Sequence, residues 1–79
     1  MKIDAKVRFS TMYHSSVDGW ILKKGIVIDI PVDLDYVDDY DDVIAAVEAE
    51  IFQKYRIVPS YEEDYTILNA SEICEEISS

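Results

Sequence analysis

The sequence predicts a small α+β domain in which one long helix packs on one face of a mainly antiparallel, three-stranded sheet. Three observations lead to this prediction. The first residues alternate between polar and apolar, a later segment repeats apolar residues every three or four positions, and a chain of 79 residues has room for one hydrophobic core. We therefore expect residues 1–79 to form a single domain with the element order β-β-α-β, and with a short C-terminal helix as an optional last element.

The first half of the chain predicts a β-hairpin. Residues 2–10 alternate between polar and apolar, which is typical of a strand with one dry face. The Asp-Gly dipeptide at residues 18–19 favours a tight turn, and β-branched residues at 26–30 continue the second strand after a bulge or a further turn at residues 23–25. Because Pro31 has no amide hydrogen, it ends this strand or lies on a sheet edge.

A long helix is predicted from about Asp39 to Tyr55. The aspartates that precede it complement the positive pole of the helix dipole, and Lys54 and Arg56 at its end complement the negative pole. Its apolar stripe is predicted to consist of Tyr40, Val43, Ile44, Val47, Ile51 and Tyr55.

The last part of the chain predicts a third strand and a short helix. Residues 65–70 read as a strand whose successive side chains alternate between the two faces. Ser71 is expected to cap the terminal helix. In that helix Ile73, Cys74 and Ile77 are expected to face inward.

The charge balance limits the classes of partner. Seventeen acidic residues against seven basic ones give a formal net charge of -10 at pH 7. Such a protein repels DNA, RNA and anionic membranes, so we expect no direct nucleic-acid or membrane partner and instead a basic protein surface. Lys6 and Arg8 are expected to meet Asp29 across the hairpin, which leaves the acids of residues 33–42 and 62–64 largely unpaired.

Composition excludes most enzyme chemistry. One Cys and one His are too few for an internal disulfide or for a Cys/His zinc site built by this chain alone. Two glycines cannot build a phosphate-binding loop or a dinucleotide fingerprint. We therefore expect a protein that is not an enzyme and that has no cofactor. Since no apolar run is long enough for a signal sequence or a membrane span, we also expect a cytoplasmic location.

The acids are concentrated in one segment, where six of the ten residues 33–42 are Asp. These exceed what one helix N-cap requires, and two interpretations stay open. The segment is either a solvated, over-capped helix start that keeps the protein soluble, or a binding surface in which Tyr36, Tyr40, Tyr61 and Tyr65 add flat contact area among the carboxylates. The residues predicted to bind a protein are Asp33, Asp35, Tyr36, Asp38, Asp39, Tyr40, Asp41, Asp42, Glu62, Glu63 and Asp64.

The same segment is a poor match to a calcium loop. Asp33, Asp35 and Asp39 fall at the first, third and seventh positions of such a loop. Its sixth position is Asp38 where a Gly allows the turn, and its twelfth is Ile44 where a bidentate Glu is needed. No metal site is predicted.

In size, acidity and scattered tyrosines, the run DLDYVDDYDD at residues 33–42, together with EEDY at residues 62–65, resembles small phage-encoded inhibitors of bacterial defence. These include anti-CRISPR and anti-restriction proteins that act as DNA mimics. The likeness is one of composition and covers only these two segments. It implies a non-enzymatic inhibitor that occupies the Lys/Arg surface of a nuclease or effector complex and excludes its nucleic acid.

An alternative from a different class is a small structural or adaptor subunit. Such a subunit would pair with a second copy through an exposed sheet edge, and its charge would serve only solubility. A homodimer that forms independently of salt is then expected.

Overall fold

The computed structural model describes residues 1–78 and confirms an α+β fold. The described residues form five strands and two helices, and both helices lie on the same face of the main sheet. The elements are β1 (Lys2–Phe9), β2 (Tyr13–His14), β3 (Ile21–Leu22), β4 (Val27–Asp33), α1 (Tyr40–Tyr55), β5 (Tyr65–Ile67) and α2 (Ala70–Ser78).

Strand β1 is the centre of an antiparallel sheet in the order β4-β1-β5. Its register pairs Lys6 with Asp29 and Arg8 with Val27 on the β4 side, and Arg8 with Thr66 on the β5 side. The alternation predicted for this strand is confirmed, since every second side chain is buried. We call the solvent-exposed side of the sheet the open face. The open face carries Lys2, Asp4, Lys6 and Arg8 of β1 with Val27, Asp29, Pro31 and Asp33 of β4.

The hydrophobic core lies between the sheet and the two helices. Val43, Val47 and Ile51 of α1 are each 0% exposed, which confirms the predicted apolar stripe. Burying a side chain of this kind contributes about 1.5–3 kcal/mol. The core also contains Ile3, Ala5, Val7, Phe9, Leu22, Ile30, Val32, Tyr65, Ile67 and Ile73.

The hairpin is interrupted where the sequence predicts a bulge or a turn, and both features are present there. The amide of Ile26 donates to the carbonyl of Lys23 at 3.1 Å, which closes a turn with Gly25 at φ 87°. The amide of Gly25 donates to the carbonyl of Phe9 at 2.7 Å, and the amide of Phe9 donates to the carbonyl of Ile26 at 3.0 Å. Gly25 and Ile26 therefore both lie opposite Phe9, as in a β-bulge whose glycine has a left-handed conformation. Beyond the bulge, β2 and β3 form a separate two-stranded sheet.

Pro31 lies inside β4 without interrupting it, because β4 is an edge strand. In an antiparallel ladder, alternate residues direct their backbone groups toward the partner. The bond from Phe9 to Ile26 fixes the even-numbered residues of β4 as those facing β1. Pro31 therefore faces outward, where its missing N–H costs no ladder hydrogen bond.

The C-terminal helix forms, but two details of its prediction are wrong. It begins at Ala70, so Ser71 lies inside the first turn, and the residue before it is Asn69, whose carbonyl accepts from the amide of Ile73 at 3.1 Å. Cys74 is exposed rather than inward, because α2 contacts the core only along a narrow stripe centred on Ile73. Within residues 1–78, neither helix is long and apolar enough to cross a membrane.

Candidate protein-binding surface

We call the predicted carboxylates the acidic surface. The acidic surface has two main segments, the first in residues 33–42 and the second in residues 62–64. Ring packing brings these segments together, because the rings of Tyr40 and Tyr61 meet edge to face at 6.4 Å between centroids. The start of α1 therefore lies beside the turn at residues 61–65. Asp33 is placed elsewhere, at the end of β4, where its Oδ1 lies 3.7 Å from the N-terminal amine. The acidic surface consists of Asp33, Asp35, Asp38, Asp39, Asp41, Asp42, Glu62, Glu63 and Asp64.

Two acids of the first segment have a structural role at the start of α1. Asp39 is the N-cap residue in an extended conformation, and its Oδ1 accepts from the amide of Asp41 at 3.1 Å. Asp42 completes a capping box, since its Oδ2 accepts from the amides of Asp38 at 2.8 Å and Asp39 at 3.3 Å. Helix capping thus explains these two carboxylates.

The other acids of the first segment face solvent. Asp35, Asp38 and Asp41 are exposed, and only the Asp38 carboxylate has a side-chain partner, the hydroxyl of Tyr36 at 3.1 Å. Tyr36 itself is 75% exposed. Capping does not explain this part of the acidic surface, which combines unshielded carboxylates with one exposed aromatic ring.

The second segment forms a tight turn before β5. Its amide hydrogen bonds run from Glu62 to the carbonyl of Tyr65 at 2.7 Å and from Asp64 to the carbonyl of Ser60 at 2.8 Å. The Asp64 carboxylate accepts from the amide of Ser60 at 2.8 Å, while Glu62 and Glu63 are exposed. Two carboxylates of this turn are therefore available to a partner.

No lysine or arginine side chain in residues 1–78 forms an ion pair with the acidic surface. Lys6 instead pairs with Asp29 at 3.2 Å, as predicted, and this carboxylate raises the pKa of Lys6. The predicted contact of Arg8 with Asp29 is wrong, because the strand register places Arg8 opposite Val27. Lys54 lies over the ring of Tyr55 and Arg56 over that of Phe52, both at the far end of α1. Within the described part of the chain, the acidic surface is therefore not neutralised by lysine or arginine side chains.

The tyrosines contribute less contact area than the sequence predicts. Tyr65 is 0% exposed, so its predicted place in the interface is wrong. The alternation of β5 directs it into the core, where its hydroxyl donates to Oε2 of Glu48 at 3.0 Å. Burial, with a further contribution from Glu48, raises the pKa of Tyr65. Tyr40 and Tyr61 are half-buried against each other.

The buried hydroxyl of Tyr40 is the one buried side-chain polar atom in the described chain without a hydrogen-bond partner. Burial raises the pKa of this group, and the neighbouring hydroxyl of Tyr61 adds to the effect. At neutral pH this phenol is uncharged, so Tyr40 contributes a ring contact with Tyr61 rather than charge to the acidic surface.

Within residues 1–78, no group of three or more His, Cys, Asp or Glu side chains has an arrangement that could hold a metal ion. Asp39, one of the three acids at calcium-loop positions, is engaged in the helix cap. The arrangement of the acidic surface suits contact with a cationic surface, for which carboxylates need not converge on one point.

Sequence reasoning missed two side chains that organise the fold. Glu48 lies outside the predicted apolar stripe of the helix, yet it accepts the hydrogen bond from Tyr65. Asn69 extends the β1–β5 ladder with its side chain, since its Oδ1 accepts from the amide of Lys6 at 2.9 Å and its Nδ2 donates to the carbonyl of Asp4 at 2.8 Å. Both contacts join residues distant in sequence, so no local pattern marks them.

Comparison with protein-family models, with curated proteins and with solved structures finds no match for this chain. A fold by itself does not determine a function, because one architecture serves many. The function is therefore argued from the charge, exposure and contacts of the acidic surface.

Proposed function

We propose that the protein is a non-enzymatic inhibitor whose acidic surface binds the basic, nucleic-acid-binding surface of a bacterial defence nuclease or effector, in the manner of an anti-CRISPR or other DNA-mimic protein. One observation carries the proposal. Exposed carboxylates at the start of α1 and in the 61–65 turn lie on neighbouring elements, and no lysine or arginine side chain of the described chain pairs with them. The charge is therefore left for a partner.

Electrostatics supports a protein partner of opposite charge. Surface charges act together over about 8 Å at physiological ionic strength. Carboxylates crowded at one side of the molecule therefore repel one another, and a cationic surface relieves that repulsion as it binds. Such attraction raises association rates by roughly 10- to 1,000-fold over a neutral pair.

A nucleic-acid-binding groove is a suitable cationic surface. It positions Lys and Arg side chains to contact phosphates, and these side chains also bind carboxylates through charge-assisted hydrogen bonds. The acidic surface supplies the exposed ring of Tyr36 and the exposed carboxylates that take no part in the helix cap, which are those of Asp35, Asp38, Asp41, Glu62 and Glu63. An inhibitor of this kind acts where the effector does, in the cytoplasm of the bacterial cell.

The edge of β4 argues against self-association through this strand. Pro31 removes an amide donor from the middle of that edge, and the outward-facing Asp29 and Asp33 carry negative charge. Proline and charged residues on an edge strand disfavour pairing with a second copy. No described feature favours a dimer through this edge.

The proposal is tested by capturing partners from lysates that contain nucleases and nucleic-acid effectors. The bait is the wild-type chain, a triple variant that removes outward-facing charge without touching the cap, or a control that removes three charges elsewhere. The triple variant is Asp35→Asn, Asp38→Asn and Asp41→Asn. The control variant is Asp4→Asn, Asp18→Asn and Glu50→Gln.

Both variants reduce the net charge equally, so only the position of the lost charge differs. We expect wild type and control to retain the same nucleic-acid-binding protein, and the triple variant to bind it more slowly and with a weaker dependence on salt. Equal association rates and equal salt slopes for the two variants would show that the acidic surface is not the binding site.

A further inference from the structure

A cleft on the open face has the opposite electrostatic character from the rest of the molecule. Its volume is about 260 Å³, and it lies where β1, the turn before β4 and β5 meet. None of the described residues that line it carries a carboxylate, although the chain has seventeen acidic residues. Its lining residues are Arg8, Phe9, Ser10, Lys24, Gly25 and Thr66.

Arg8 is held at this cleft by the central strand. Its neighbours across the two ladders are Val27 of β4 and Thr66 of β5, neither of which is acidic. The guanidinium extends toward the turn, where its Nη2 lies 4.0 Å from the position that a Cβ of Gly25 would occupy. The base of the side chain is therefore fixed in the sheet, and its charged end reaches the side of the cleft formed by Lys24 and Gly25.

The turn positions the second cation. Lys24 and Gly25 are its central residues, closed by the hydrogen bond from Ile26 to Lys23. The positive φ of Gly25 favours glycine at this position. Across the cleft, the amide of Ser10 donates to the carbonyl of Asp64 at 2.7 Å, which holds the chain after β1 in place. The cleft is therefore built on hydrogen-bonded backbone on both sides.

Neither cation of the cleft has an acidic partner in the described chain. The acid of β4 nearest to Arg8 in the strand register is Asp29. Its carboxylate is already paired with the ammonium group of Lys6 at 3.2 Å. Arg8 and Lys24 form no ion pair within residues 1–78. Two like charges that line one cleft repel each other, and an oxyanion between them relieves that repulsion.

We propose that this cleft binds the phosphate group of a small molecule. The planar guanidinium of Arg8 offers two parallel N–H donors to phosphate oxygens, and Lys24 adds a point charge. The hydroxyls of Ser10 and Thr66 supply further donors. Because the whole molecule repels extended polyanions, the ligand is a compact phosphate rather than a nucleic acid. This site uses no carboxylate of the acidic surface, although the amide of Ser10 is hydrogen-bonded to the backbone carbonyl of Asp64.

The test is an NMR titration of the ¹⁵N-labelled protein at constant ionic strength, with inorganic phosphate in one arm and glycerol 3-phosphate in the other. We expect saturable shifts at the amides of Ser10, Gly25 and Thr66 and at Nε of Arg8. Tighter binding of the ester indicates a phosphorylated metabolite, and equal binding indicates free phosphate. Shifts that grow linearly without saturation in both arms would overturn the proposal.

Matched variants locate the site. We expect Arg8→Gln and Lys24→Gln each to weaken binding at least about tenfold, which corresponds to about 1.4 kcal/mol. Lys23→Gln is the control, because it removes a charge from the same turn but does not line the cleft. Thr66→Val removes a hydroxyl without changing charge and should also weaken binding. Equal affinity in all four variants would contradict the assignment.

Discussion

Replacing the capping acids and replacing the outward-facing acids of residues 33–42 should have different effects on stability. Asp39 accepts from the amide of Asp41 at the N-cap, and Asp42 accepts from two amides of the same turn. The side chain of Asp41 is exposed and takes no part in the cap. Asp39→Ala therefore removes a structural contact, whereas Asp41→Asn removes only charge.

The magnitudes follow from these contacts. Loss of an Asp N-cap costs about 1 kcal/mol, and for a domain of this size that loss lowers Tm by about 4–8 °C. At Asp41, the loss of a helix-dipole interaction of about 0.3–1 kcal/mol is offset by relief of repulsion in a crowded cluster. We expect Asp39→Ala to lose about 1 kcal/mol and Asp41→Asn to stay within about 0.5 kcal/mol of wild type.

Urea denaturation followed by tryptophan fluorescence measures the difference. Trp20 packs edge to face on Tyr55 at 5.3 Å between centroids, so its emission reports whether the C-terminal end of α1 is in place. The urea dependence of the free energy should not change, because the variants bury the same surface. If Asp39→Ala is as stable as wild type, or if Asp41→Asn is destabilised equally, the division into capping and outward-facing acids is wrong.

Two further predictions concern the core and the sheet edge. Tyr65→Phe removes the hydrogen bond to Glu48 and should lower the free energy of unfolding by about 1–2 kcal/mol at pH 7. The pKa of Tyr65 is raised above 10.0 in the fold, so the stabilisation by its protonated hydroxyl is present below pH 10 and is lost as the pH rises further. Denaturation at several pH values should therefore show a smaller alkaline loss of the free energy of unfolding in Tyr65→Phe than in the wild type. An identical loss in the two proteins would contradict this. Pro31→Thr restores an outward N–H to β4 and should increase self-association in sedimentation experiments, whereas a wild-type protein that already dimerises to the same extent would contradict the role given to Pro31.

Local sequence patterns predict most of the fold. The alternation of residues 2–10 identifies β1 because its period is set by strand geometry alone. The apolar stripe likewise predicts a helix from about Asp39 to Tyr55, and α1 is found at Tyr40–Tyr55 with Asp39 as its N-cap. The bulge at Gly25 is also marked locally, since glycine is the residue that adopts its positive φ without strain.

Long-range contacts account for what the sequence does not predict. Nothing local indicates that Tyr40 packs on Tyr61 and so joins the two acidic segments. The burial of Tyr65 depends on which face of β5 meets the helices, and that is decided by tertiary packing. The isolation of Arg8 depends on the strand register, which places Lys6 opposite Asp29 and Arg8 opposite Val27. Charge patterns in the sequence therefore identify candidate residues. Which of these residues pair with one another is determined by strand register and tertiary packing.

Competition with double-stranded DNA for the captured partner tests the central claim most directly. The partner's affinity for the labelled protein is measured at increasing DNA concentrations and fixed salt. If the acidic surface occupies the nucleic-acid-binding groove, the apparent Kd rises in proportion to the DNA concentration until the protein is displaced. An apparent Kd that does not change with DNA, with both molecules bound to the partner at once, would contradict the account.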